Sequence, residues 1–327
     1  MAENRRCDRA MYALCIESSH ARGMGHFYRS LNLAEALQAA GHDCIFYLNE
    51  HGPSCRILEA CGWRYRIVNL RDTSSDWPTQ LIRQDGIGVW VNDRMDTDLY
   101  QAQFVKANAI PLATFDDRGQ GAALADLHIA ALAFDPQESL AGAVVLRGAD
   151  YLILNPQVTE FARERKAPGS ILVTLGGSDT YGVTVKVVNE LKLRGLAATI
   201  AIGPGFAHAD ALAATVTPGF TVKRGVPSLI EEFSRHELVI TGGGITPFEA
   251  NASGLPCIVV ANEQFEIPVG LALQDRGGAV FAGHHESMRL PTELEALPLA
   301  DMSRAGMRSF GPQGTQRVVA ALRGLRV

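Results

Sequence analysis

Three glycine-rich turns carry the residues of this chain best suited to chemistry. The first reads Gly23-Met24-Gly25-His26, after an apolar run over residues 11–17 and a loop over 18–22. Glycines there permit a tight turn and close approach of a ligand to the backbone, and His26 opens an amphipathic stretch that runs to residue 40. An imidazole so placed suits general-base work near neutral pH, although a lone loop histidine is ordinarily structural. The second turn is Gly176-Gly177-Ser178-Asp179-Thr180. Its amides and hydroxyls can cradle a pyrophosphate; the plain alternative is a helix start capped by Asp179. The third, Thr241-Gly242-Gly243-Gly244-Ile245-Thr246-Pro247-Phe248-Glu249, places a carboxylate one helical turn beyond its glycines. Glu249 can accept both hydroxyls of a ribose there, and the helix dipole alone also favours a first-turn glutamate. The GxGxxG spacing is absent from the first two turns, which counts against NAD or FAD.

Turns of this kind need strands before them and helices after them. Apolar, β-branched runs over 11–17, 44–48, 87–91, 111–115 and 127–131 alternate with amphipathic stretches over 27–40, 55–61 and 98–108. The pattern restarts with strands over 171–175, 197–202, 220–222, 238–241 and 257–261 and helices over 184–193, 228–236, 247–253 and 269–276. Such alternation predicts parallel sheets in an α/β protein, and 327 residues suit two domains. The expected division is 1–154, carrying the Gly-x-Gly-His loop, and 155–327. The polar stretch 155–169, with Pro156, Pro168 and the cluster Arg163-Glu164-Arg165-Lys166, suits a connection between them.

Composition narrows the partners. A net charge of −5 with interspersed signs leaves no basic face for nucleic acid, although Arg5, Arg6, Arg9, Arg22 and Arg29 give the N-terminal segment a local positive cast. No apolar run is long enough to span a bilayer, and residues 1–10 are too polar for a signal-peptide core, so a cytoplasmic protein is expected. Cys7, Cys15, Cys44, Cys55, Cys61 and Cys257 form no CxxC pair, and neither a zinc site nor a disulfide framework is indicated. A monomer is the default.

The chain resembles the hydrolase of the pseudaminic-acid pathway, which removes UDP from UDP-2,4-diacetamido-2,4,6-trideoxy-β-L-altropyranose, and the related spore-coat polysaccharide proteins. These look like relatives of the lipid II-forming N-acetylglucosaminyltransferase and share its GT-B fold. The resemblance rests on Ser18-Ser19 with Gly23 to His26 and Arg29, Phe115-Asp116-Asp117, Ala125-Asp126-Leu127, residues 151–156, residues 176–179, residues 242–249, Gly254-Leu255-Pro256 and residues 311–318. It implies two doubly wound Rossmann-like domains facing across a cleft that holds a UDP-sugar. His26 would activate water for attack at the anomeric carbon, with Gly23, Gly25, Arg29 and Asp93 beside the sugar. Gly177, Ser178, Asp179, Gly243, Gly244, Thr246 and Glu249 would hold uridine and pyrophosphate. No metal or redox cofactor is implied.

The chain departs from the pattern at three places. Where the hydrolases carry an aspartate and, two residues later, a tyrosine lining the sugar site, it reads Asn92-Asp93-Arg94-Met95-Asp96. Arg94, if it faces the cleft, would favour an anionic sugar or acceptor. The expected Asn-Gln pair appears as Asn262-Glu263-Gln264, any of which can replace the functional asparagine, and a proline after Asp179 is Thr180. A GT-B glycosyltransferase using a UDP- or CMP-sugar and a non-catalytic sugar-nucleotide-binding protein are the competing expectations.

Overall fold

Strands buried on both faces of a parallel sheet must be apolar at nearly every position, and the central runs of this chain meet that demand. A computed structural model describes residues 10–18 and 24–325. Gly23, Ser19, Cys7, Arg5, Arg6, Arg9 and Arg22 lie outside them. The described residues cluster into two compact units: 10–18, 26–153 and 313–325 form unit 1, and 24–25 with 154–312 form unit 2.

Unit 1 holds β1 (Met11–Ile16), β2 (Asp43–Leu48), β3 (Tyr65–Ile67), β4 (Ile87–Asp93), β5 (Leu112–Phe115), β6 (Leu127–Ala130) and β7 (Val144–Arg147). All pair in parallel, in the order β3-β2-β1-β4-β5-β6-β7. The order reverses direction between β1 and β4, which are paired with Ile16 opposite Asp93. Ala13, Cys15, Ile45, Tyr47, Trp90, Ala102, Val105 and Leu112 share one core cluster. The helix Gly25–Ala39 buries Phe27, Ser30, Leu31, Ala34 and Leu37, the three-to-four-residue spacing of a helix with one covered face.

Unit 2 repeats the plan with β8 (Ile171–Thr174), β9 (Ala198–Ile202), β10 (Phe220–Arg224), β11 (Leu238–Gly242), β12 (Cys257–Ala261) and β13 (Ala279–His284), in the order β10-β9-β8-β11-β12-β13. These strands too are parallel. Here the reversal falls between β8 and β11. Ligands of open parallel sheets bind at the carboxyl ends of the strands at such reversals, and the second and third glycine turns follow β8 and β11.

Three of the four edge strands escape the sequence reading. β3, β7 and β13 lie outside the predicted runs; β7 exposes Val144 and only half-buries its middle, so no apolar signal marks it. The stretch read as a connection is instead fastened within unit 2. Arg165 is fully buried, donating to the carbonyls of His236, Arg163, Ser253 and Phe233, while Arg163 bonds Ser234 O, His236 O and Glu237. A guanidinium's five donors suit this carbonyl-lined pocket. Burial pulls Arg165 down to about 10. The helix Gln313–Gly324, expected in the second domain, clusters with unit 1. Its Gly314 packs on the Leu152 backbone, where a Cβ would lie 2.2 Å from the carbonyl oxygen, and Arg317 pairs with Asp150.

Candidate functional site

In unit 1 the two strands flanking the reversal each deliver one side chain to a single hydrogen-bonded group. His26 enters on the second residue of the helix that follows β1, and Asp93 is the last residue of β4. His26 Nδ1 lies 2.5 Å from Asp93 Oδ1. Arg29, one helical turn on, donates Nε to Asp93 Oδ2 at 2.8 Å and Nη2 to Oδ1, and its Nη1 reaches Asp116 Oδ2. Ser30 Oγ adds a bond to Asp93 at 3.2 Å. Spacing of three and four residues puts His26, Arg29 and Ser30 on one helix face, so the sequence alone accounts for their convergence.

Asp116 is held at positive φ (44°) after β5, with Oδ1 accepting the Leu132 amide at 2.8 Å. Aspartate tolerates that left-handed backbone better than most residues. Arg29 also stacks over Phe115, 5.1 Å from the ring centroid.

The electrostatics follow from burial. Asp93, Arg29 and Asp116 are each less than 5% exposed. Desolvation opposes the charge on Asp93, but Arg29 and His26 outweigh it and hold the carboxyl well below its usual range. Burial likewise works against the Arg29 cation, yet Asp93 and Asp116 push its pKa upward. With Asp93 ionised, a lone pair on Nδ1 would face carboxylate lone pairs at 2.5 Å; Nδ1 therefore carries the proton. Nε2 is left with the lone pair. Two carboxylates against one guanidinium leave the cluster a surplus negative charge. This is the geometry of a general base held by an orienting carboxylate.

Other expected residues in unit 1 take different places. Arg29 and Asp93 spend their hydrogen bonds on each other, His26, Ser30 and Asp116. Arg94 is buried, its Nη1 on Gln101 Oε1 at 2.6 Å and its Nη2 on the Leu70 carbonyl at 3.2 Å. It pins the loop after β3. Gly25 stands open, with no atom within 4 Å of an added Cβ, and Gly23 lies outside the described residues. Asn92, next to Asp93, bridges Trp90 Nε1 and Thr97 Oγ1, and Thr97 continues to Asp117.

In unit 2 the turn after β8 splits between the two readings open for it. Asp179 caps the following helix with both oxygens, accepting the Val183 amide at 2.7 Å and the Thr184 amide at 2.8 Å. That is the capping role, and it leaves Asp179 to hold the turn's shape. Gly177 lies against the loop after β9: its carbonyl accepts the Gly205 amide at 2.8 Å, and a Cβ on Gly203 would meet that oxygen at 2.4 Å. Ser178 is buried at the same turn.

The turn after β11 explains two of its three glycines internally. A Cβ on Gly242 would lie 2.7 Å from Asn262 Nδ2, and one on Gly243 would lie 2.7 Å from Glu266 Cβ. Gly244 meets nothing within 4 Å and has no positive φ. Neither neighbour nor backbone angle demands glycine there. Thr246 begins the helix Thr246–Ala252 beside it. Glu249 Oε1 accepts the Asn155 amide at 3.0 Å, and burial pushes its carboxyl up to about 7 against that hydrogen bond.

Of the three candidates after β12, Asn262 faces the glycine turn with a buried Oδ1 that has no hydrogen-bond partner. Glu263 accepts Tyr181 Oη at 2.7 Å, and Gln264 is exposed. Sequence reasoning missed Asp116 as a site residue, though an Asp-Asp pair directly after a strand was the available signal. It also missed Glu266, whose only signal was a carboxylate in a loop following a strand.

No family model matches the chain. It is 23% identical over 336 residues to the spore coat polysaccharide biosynthesis protein SpsG of Bacillus subtilis, an alignment covering 94% of this chain and 96% of that one. It is also 24% identical over 278 residues to an uncharacterized protein of Methanocaldococcus jannaschii, covering 78% of this chain and 56% of the relative. The chain thus spans nearly all of the first and about half of the second. Among solved structures it is similar to MurG of Acinetobacter baumannii, with a TM-score of 0.68 at 17% identity over 96% of this chain and 99% of that one. It is also similar to the UDP co-structure of MnaA of S. aureus, with a TM-score of 0.62 at 14% identity over 95% of each chain. The likeness shows the fold: two Rossmann-like domains of the GT-B type.

Among the described residues no helix is long and apolar enough to cross a membrane.

Proposed function

We propose that this chain is an enzyme of surface-polysaccharide biosynthesis that acts on a UDP-linked sugar, and that it hydrolyses a UDP-2,4-diacetamido-trideoxyhexose-like substrate in a pseudaminic-type pathway. The observation that carries the reading is the His26–Asp93 pair at the reversal of the first sheet, with Nε2 unbonded among the described residues and able to take a proton. His26 Nε2 removes a proton from water as its oxygen bonds to the anomeric carbon. The bond between that carbon and the diphosphate oxygen breaks, its electron pair leaves with UDP, and Asp93 steadies the imidazolium. Base catalysis of this type contributes about 10²–10⁴ in rate.

Unit 2 is the nucleotide side of the proposal. Gly177, Ser178, Gly243, Gly244 and Thr246 offer amides and hydroxyls to the diphosphate, and Glu249 offers its second carboxylate oxygen to the ribose. The UDP bound to MnaA, a protein of the same fold, supports this nucleotide. Likeness to SpsG supports the polysaccharide context.

Likeness to MurG and SpsG also favours a second reading, a glycosyltransferase in which His26 deprotonates an acceptor hydroxyl. One experiment addresses both. UDP- and CMP-sugars are incubated with the protein, with and without acceptors, and nucleotide release is followed by NMR. Release in water alone is the expected result; acceptor-dependent release would replace hydrolysis by transfer. His26→Ala should lose about 10²–10⁴ in turnover and keep UDP affinity. Unchanged turnover in that variant would refute the catalytic assignment, and UDP binding without turnover in the wild type would leave a binding protein.

A further inference from the structure

The third glycine turn contains a carboxylate that the proposed reaction does not use. Glu266 ends the 3-10 turn Gln264–Glu266 and folds back, so that Oε2 accepts the Asn262 amide at 2.7 Å; the amides of Glu263 and Gly243 bond the same carboxylate. Gly243 is glycine because Glu266 occupies the space of its side chain, with Oε2 only 3.1 Å from the Cβ position. Amides from the loops after β11 and β12 therefore converge on one anion, as backbone nests converge on phosphate. Here the nest holds the protein's own carboxylate. Beside it, Asn262 Oδ1 is buried and lacks a donor.

We propose that Glu266 is an internal stand-in for phosphate charge, a positioning residue that keeps the Gly243 turn formed when the site is empty, and that a nucleoside diphosphate binds there together with one proton taken up by the Glu266 carboxyl. The inference rests on the reading of unit 2 as the nucleotide side. A diphosphate approaching Gly244 brings negative charge next to the residue bonded to Glu266, and like charges in one site raise the affinity of a carboxylate for its proton. Burial already pushes Glu266 up to about 7, against three amides that favour the ionised form. The proton is thus available near neutral pH. The other ionisable groups facing it are the Glu263 carboxylate, which raises it further, and the Tyr181 phenol bonded to Glu263.

The test is calorimetry of the full chain with UDP-N-acetylglucosamine, whose diphosphate diester does not titrate near neutrality, in buffers of different ionisation enthalpy. At pH 8 Glu249 is already mostly ionised, so a ribose that prefers its carboxylate releases little. Wild type should take up protons at that pH, and Glu266→Gln should take up fewer, by up to about one per nucleotide bound. Wild-type affinity should fall by up to about tenfold per pH unit above 7, and that of the variant should stay nearly flat. Equal proton numbers for the two proteins would overturn the proposal. Should the variant fail to fold, binding without proton uptake by the wild type at pH 8 overturns it equally. A wild type that binds no nucleotide removes the nucleotide reading of unit 2 itself, a result separate from binding without a proton.

Discussion

Replacing Asp93 by asparagine tests the centre of the proposed reaction, because the amide nearly matches the carboxylate in shape and removes only charge and acceptor capacity. In the native protein Asp93 receives His26 Nδ1–H at 2.5 Å and two Arg29 donors. At an effective dielectric near 20, opposite charges about 4 Å apart attract by about 4 kcal/mol. Losing that attraction as the imidazolium forms is worth roughly 10³ in rate. The asparagine NH₂ can also face Nδ1, turning the ring to the tautomer that protonates Nε2, which adds to the loss. Stability suffers separately, because Arg29 keeps its buried charge and loses one of two carboxylates; breaking such a pair costs about 3–5 kcal/mol. The assay is UDP release by NMR under saturating substrate, alongside thermal melts of the same preparations. Asp93→Asn should fold with a lowered Tm and show kcat reduced about 10³-fold with KM little changed. A folded variant with kcat within tenfold of wild type would show that the pair serves structure alone.

Two further substitutions separate support of the base from recognition of the nucleotide. Asp116→Asn keeps a residue that tolerates the positive φ but turns a donor toward Arg29. It should cost about 2–4 kcal/mol of stability, slow UDP release less than Asp93→Asn does, and combine non-additively with it in the double variant; strict additivity in melts and rates would show that the four residues do not act as one network. Glu249→Gln should weaken UDP binding yet stabilise the fold at pH 8. The folded carboxyl is raised to about 7, so its cost is absent below its ordinary value, grows as pH rises toward 7 and is complete above it. The gain should be about 1–3 kcal/mol at pH 8 and near zero at pH 4.5. A variant that melts lower than wild type at pH 8 would contradict it.

The legible part of this molecule was the part governed by burial on both strand faces. β1, β4, β11 and β12 are continuous apolar runs followed by glycine or polar turns, and their predicted limits fall within two residues of those observed. β3 and β7 gain their stability from one neighbour at an edge and carry exposed residues, so the same criterion passes over them. The charged stretch 163–166 reads as part of a connection because charge is usually solvated; only the folded carbonyls of Phe233, His236 and Ser253 reveal a pocket that accepts Arg165. In the site, His26 stood out by type and place. Its dependence on Asp93 did not, since 67 residues separate them and strand order alone brings them together. Arg94 was weighed only by its type, a cation beside a candidate site; in the fold its two Nη groups are taken by Gln101 and the Leu70 carbonyl, while its Nε is buried without a partner among the described residues.

The two sheets use one topological device with different electrostatics. At the reversal in unit 1, Arg29 sits between Asp93 and Asp116, so the surroundings of His26 carry a surplus of fixed negative charge. Such a place repels a diphosphate. At the reversal in unit 2, the bonds to Glu249 and Glu266 come from backbone amides, and both carboxyls lie near neutrality in their protonation, so the charge there can be withdrawn by a proton. A site of amides with dischargeable carboxylates can receive phosphate without a fixed cation.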